Sequence, residues 1–197
     1  MPKVVDHEER QNELAQAALE TLAREGVAGT TMRSVAETAG CTTGMLVHYF
    51  ANKDAILIAA LRCAQERTAA RMRAVLNGPD TPGVLSRFLA EALPLDAVRR
   101  QEWSIWLAFW GGANASPQLA GEHRARYREY IGAVRRVLSI AVERGELAEV
   151  ARSAEEAEAL AAFIDGLGLQ AMLDPGRLPR RRQLALLETY IARLRAS

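Results

Sequence analysis

Apolar residues recur along this chain at intervals of three and four, with no run of strict alternation, and that spacing predicts helices nearly from end to end. Leu14, Ala18 and Leu22 stand four apart and mark one face of a helix over residues 8–25, which Gly26 is suited to stop. Thr31 opens a short second helix that turns Val35 and Ala36 inward and ends at Gly40; Thr42 opens a third, running to about Phe50. Asn52 caps a fourth that extends to about Asn77, and NGPDTPG, residues 77–83, reads as a loop. Further helices are predicted over 84–93, 96–113, 117–144, 154–173 and 180–195. Pro94 separates the first two, Ser116-Pro117 supplies a cap and a first-turn proline, Ser153 with Glu156 is a capping-box pair, and Asp174-Pro175-Gly176 is a stop. The predicted fold class is all-α, with about nine helices.

Composition narrows the setting. With 197 residues and 49% hydrophobic content, the chain is long enough for one sizeable core or for a small domain joined to a larger one. No apolar run approaches a membrane span and the start, MPKVVDHEER, has no apolar secretory region, so a cytoplasmic protein without a membrane partner is expected. Cys41 and Cys63 form no CxxC pair and have no histidine at ligand spacing, which argues for free thiols, with no metal site and no cofactor. Net charge is +1, and the first sixty residues carry five Lys/Arg against eight Asp/Glu, a balance of −3. Any nucleic-acid contact must therefore rest on a local surface rather than on the average field.

One local surface stands out. Two short helices joined by a glycine-containing turn form a helix-turn-helix, whose second helix can enter the major groove of DNA. In GCTTGMLVHYFANKDAIL, Lys53 sits at the start of the fourth helix, where the helix dipole disfavours a cation by roughly 0.3–1 kcal/mol. A phosphate held against that helix start reverses the sign of the effect, because the dipole, the open amides and the ammonium then act together. Thr31, Thr42 and Tyr49 add hydroxyls that can donate to phosphates, while Arg33, Thr43, Gly44, Met45, Val47 and His48 are placed to face bases. Leu46 and Phe50, four apart, should point back into the small domain. The plain alternatives are a solvated lysine, a surface histidine, a core-edge tyrosine and threonines that only cap.

The run TTMRSVAETAGCTTGMLVHYFANKDAIL, with ELAQAALETLAREG upstream, resembles the helix-turn-helix signature of TetR-type (tetracycline-repressor-like) transcriptional regulators over roughly residues 10–60. The resemblance implies an N-terminal DNA-binding domain over 1–52 and a helical ligand-binding and dimerisation domain over 53–197. It also implies Thr31, Tyr49 and Lys53 on phosphates, and Arg33, Thr43, Gly44, Met45 and His48 at base edges. Two positions depart from the pattern: Cys41 stands where valine is usual, and Val47 where tyrosine is common, which removes a hydroxyl.

All three tryptophans lie in EWSIWLAFW. Trp103, Trp106 and Trp110 share a helical face with Phe109 beside them, a face that serves either as core or as a wall for a ligand, with Glu102, Glu91 or Asp165 as possible charge partners for a cation. WLAFWGGA resembles the ligand-binding half of BetI-type repressors, a TetR branch responsive to choline, which implies a small effector such as a quaternary amine or polyamine, a hydrophobic molecule being the competitor. Leu160, Phe163, Ile164, Leu167 and Ala171, then Leu184, Leu187, Ile191 and Leu194, line the last two helices. They serve either an intrachain core or, as in the family, a four-helix interface between two copies. The combined expectation is a homodimeric, ligand-responsive regulator, a repressor of a near-palindromic operator in double-stranded DNA, and not an enzyme. The alternative is an all-helical binding protein or enzyme that uses a tryptophan-lined pocket.

Overall fold

The computed structural model describes residues 7–79 and 81–196. Residues 1–6 of the predicted DNA-binding domain, Asp80 within the predicted loop, and Ser197 lie outside them. Regular structure among the described residues is helical throughout: α1 (His7–Gly29), α2 (Met32–Thr38), α3 (Thr43–Tyr49), α4 (Lys53–Leu76), α5 (Val84–Ala90), α6 (Ala97–Ala113), α7 (Pro117–Glu143), α8 (Ala154–Leu173) and α9 (Arg180–Ala196), with a 3-10 turn at Glu149–Arg152. None of these helices is long and apolar enough to cross a membrane.

The helix boundaries follow from side-chain caps. Thr31 accepts the Ser34 amide at 3.1 Å while Ser34 Oγ accepts the Thr31 amide at 3.0 Å, a reciprocal box built with serine in place of the usual Glu or Gln. Thr42 accepts from Met45 N at 3.1 Å and Asn52 from Ala55 N at 2.9 Å. Gly40, at φ 61°, makes the turn between α2 and α3, and Gly26, at φ 67°, kinks α1 one turn before its end. α5 is shorter than predicted. Its last turn loosens into 3-10-type hydrogen bonds over Glu91–Leu93, because Pro94 disfavours helical geometry in the residue before it. The Ser153 box forms by half: Ser153 caps Glu156 N, but the Glu156 carboxylate instead accepts the Tyr190 hydroxyl at 2.9 Å.

Two compact units result. One holds the described residues through Arg67 together with Gln101–His123. Its core gathers Leu14, Ala18 and Leu22 from α1, Val35 and Ala36 from α2, Leu46 from α3, Phe50, Ile56 and Leu61, and then Ile105 and Phe109 from α6 and Leu119 from α7. Leu46 is the buried anchor of α3, and its truncation to alanine is worth about 2–5 kcal/mol. Within this unit Ser116 Oγ donates to Asp54 at 2.6 Å, and Arg62 grips Glu122 through two bonds of 2.8 and 2.9 Å.

The other unit holds Thr68–Arg100 and the chain from Arg124 onward. Phe88, Leu89, Val134, Leu138, Leu160, Ile164, Leu167, Ala171, Leu187, Ile191 and Leu194 fill its core. Most members of the apolar rows of α8 and α9 thus pack inside the chain, while Phe163 and Leu184 are only partly buried. The outward side of α8 instead carries Ala159, Ala162 and Gly166, and ends in Leu173, which is 67% exposed.

Candidate functional site

α3 presents its chemistry on one side. Leu46 and Phe50 are buried as predicted, while Thr43, Gly44, Met45, Val47 and His48 are exposed. Gly44 has ordinary helical backbone, and a methyl group added there would meet only Thr42 Oγ1, at 3.9 Å. Among the described residues no neighbour requires a glycine at this point.

Thr31, Thr42 and Lys53 stand exposed at the starts of α2, α3 and α4. Both threonine oxygens accept from helix amides; the Thr42 hydroxyl keeps its hydrogen for a phosphate, whereas the Thr31 hydroxyl donates to Ser34 Oγ at 3.3 Å and must turn from it to reach one. Arg33 is exposed and pairs with Glu37 at 3.0 Å, one turn on, an ion pair so open to water that it is worth well under about 1 kcal/mol and yields easily to a stronger partner. Tyr49 is half-buried, with its ring 4.7 Å from that of His7. One residue beyond the predicted set joins them: Arg10 of α1 pairs with Glu13 and reaches Met45 Sδ at 3.6 Å, which brings a guanidinium beside α3. Its only signal in the sequence is that it is one of five cations in an acidic segment.

On α6, Trp103 and Trp110 meet edge to face with ring centroids 5.9 Å apart, and Trp106 lies 6.0 Å from Trp110 at 45°. Trp103 is buried and the other two are partly so. Phe109 is fully buried in the first unit's core with Ile105. The three candidate carboxylates differ. Glu91 is already held by Arg71 at 3.0 Å and Arg99 at 2.5 Å. Glu102 is buried in the first unit, where its charge helps burial to push the Cys63 thiol up. Asp165, on α8, accepts the Tyr127 hydroxyl at 2.8 Å.

Comparison with known proteins gives a consistent result. The family model described as bacterial regulatory proteins, tetR family, matches residues 14–60, and that described as BetI-type transcriptional repressor, C-terminal, matches residues 83–196. The HTH-type transcriptional regulator BetI of Burkholderia cenocepacia is 32% identical, with 100% of both chains covered. The HTH-type transcriptional regulator PksA of Bacillus subtilis is 31% identical over 92% of this chain and 88% of its own. Among solved structures, a transcriptional regulator from Rhodococcus sp. Rha1 superposes with a TM-score of 0.81 at 29% identity, covering 93% of this chain and 95% of that one.

Proposed function

This chain belongs to the TetR family of bacterial transcription regulators, with a BetI-type C-terminal half, and from that premise we propose how its residues divide the work. Residues 1–52 read DNA, and residues 53–197 bind effector and pair two copies. Thr43, Gly44, Met45 and His48 meet base edges with Arg33, while Thr31, Thr42, Tyr49 and Lys53 hold phosphates and set the register. The observation that carries this reading is the outward face of α3, where Gly44 leaves open space that no neighbour in the chain uses.

One seven-residue helix per chain reads too few base pairs for a specific site, so the functional species is a homodimer on a near-palindromic operator, in the cytoplasm. The small outward residues of α8, Ala159, Ala162 and Gly166, with exposed Leu173, support a close helix-to-helix contact between copies. The effector lies against the row of Trp103, Trp106 and Trp110, with Phe109 behind it as a fixed wall. It binds the operator-mismatched arrangement better and so releases DNA, with a coupling typically of about 1–3 kcal/mol.

The test is a mobility-shift assay with DNA flanking the protein's own gene, with and without candidate small molecules. Salt-sensitive binding to a discrete duplex, relieved by one of the molecules, supports the proposal. Absence of binding to any duplex at low salt overturns it.

A further inference from the structure

An open groove of about 400 Å³ lies within the second unit, between the last turns of α4, the loop that follows them, α5 and the start of α6. A space of that order suits a small organic molecule and is larger than a bare ion needs. Arg71, Arg87 and Arg99 line it around one carboxylate, Glu91, with Ala74 and Val75 of α4 as an apolar wall. A single oxygen of Glu91 accepts from Arg71 Nε at 3.0 Å and from the Arg99 guanidinium at 2.5 Å, so two cations converge on one atom. Arg99 is largely buried, and its Nε has no hydrogen-bond partner among the described residues, with Asp96 standing off at 3.6 Å. Arg87 meets no carboxylate among the described residues. It donates only to backbone carbonyls, that of Pro82 and, at 2.8 Å, that of Thr81.

The lining therefore sets three guanidiniums against one carboxylate, and counting Asp96, which stands outside the lining, still leaves one positive charge in surplus among the described residues. A concave surface with surplus charge of one sign favours a ligand of the other sign. We propose that this groove binds a small organic carboxylate, with its apolar body against Ala74 and Val75 and its charged end at Arg87. A carboxylate matches the planar fork of a guanidinium and accepts from it in two parallel bonds, which backbone carbonyls cannot do with equal strength. Arg71 and Arg99 add to the attraction through their charge, since Glu91 is shared between them. A neutral molecule of the same shape gains the apolar contact alone. The site is separate from the indole row of α6, which belongs to the first unit, so it goes beyond the regulator reading and does not depend on where the effector sits.

The test is calorimetric titration of the full-length protein at pH 7.5 with hexanoate, hexan-1-ol and inorganic phosphate. The first two share one apolar chain and differ in charge, and the third is an anion without an apolar body. Hexanoate is expected to bind about tenfold or more tightly than either of the others. Arg87→Gln is expected to weaken hexanoate by about tenfold and to leave hexan-1-ol unchanged. Ala74→Glu alters an exposed position of α4 that makes no side-chain hydrogen bond, so it keeps the test open should Arg87→Gln fail to fold. It sets a competing carboxylate on the wall and is expected to weaken hexanoate by about tenfold, with circular dichroism unchanged. Absence of hexanoate binding, hexan-1-ol or phosphate binding as tightly as hexanoate, or unchanged hexanoate affinity in a folded Arg87→Gln or Ala74→Glu protein overturns the proposal.

Discussion

Tyr127 donates its hydroxyl to Asp165 at 2.8 Å, and no basic side chain among the described residues answers the carboxylate's charge. Burial pushes Asp165 up to about 6, whereas an unfolded aspartate titrates at about 3.9. Between those values the folded chain holds more protons than the unfolded one. The stability that Asp165 contributes is fully present below about pH 4 and is lost as pH rises through about 6. At pH 7.5 the ionised group costs about 2–3 kcal/mol relative to a neutral one. Asp165→Asn should therefore melt at a higher temperature than wild type at pH 7.5 and at nearly the same temperature at pH 4. A difference that does not change with pH would remove the buried charge as its cause.

Gly44→Ala separates folding from reading. The added methyl has room, with Thr42 Oγ1 at 3.9 Å as its nearest neighbour, and restricting the unfolded chain should leave stability equal or slightly higher. DNA affinity should nevertheless fall by about tenfold or more, since a clash with a base edge or sugar is worth at least about 1.4 kcal/mol. Urea denaturation and mobility shift on the same preparation check both halves, and full DNA affinity in a stabilised variant would show that no close approach occurs.

Lys53 begins α4, in a segment that is acidic on average. Its replacement by alanine is expected to weaken binding to all duplexes alike and to flatten the slope of log affinity against log salt by about one unit. Selective weakening at particular base pairs would place Lys53 in the groove instead. Substitutions at Thr43 or His48 should change base preference and leave the slope near its wild-type value.

Arg62 and Glu122 form a two-pronged ion pair between α4 and α7, with the arginine side chain 60% exposed and the glutamate 10%. The hydrogen bond to Glu122 holds the guanidinium above its ordinary range, but water screens that end of the pair. A double-mutant cycle with Arg62→Met and Glu122→Gln should return a coupling of about 1 kcal/mol that shrinks in high salt. A coupling that is insensitive to salt would show that packing, and not charge, joins the two helices.

Helix positions and caps are legible in the sequence because each rests on short-range chemistry. Thr31, Thr42, Asn52 and Ser153 cap as their residue types demand, and Gly40 takes the left-handed turn expected of it. What is not legible depends on three-dimensional neighbours. Ser34 completes the Thr31 box where Glu or Gln is usual, Glu156 turns away to Tyr190, and the 3-10 turn at Glu149–Arg152 has no periodic signal. The row on α8 and α9 is ambiguous because a helix buried in its own chain and one buried in a partner carry the same pattern. The candidate reading surface is visible as exposed polar residues around Leu46, whereas Arg10 beside Met45 is not. Tyr127 and Tyr130 have no spacing in the sequence that marks them, and Asp165 is one carboxylate of three until Glu91 proves to be occupied and Glu102 buried in the first unit.

α6 is used on two sides at once. Its indoles stack with one another along a single helical row, while Ile105 and Phe109, from the same few turns, are sealed into the core that also holds Leu46 of α3. A close-packed interior transmits displacement instead of absorbing it. Pressure on the indole row therefore passes to Ile105 and Phe109, and so into the interior they share with Leu46.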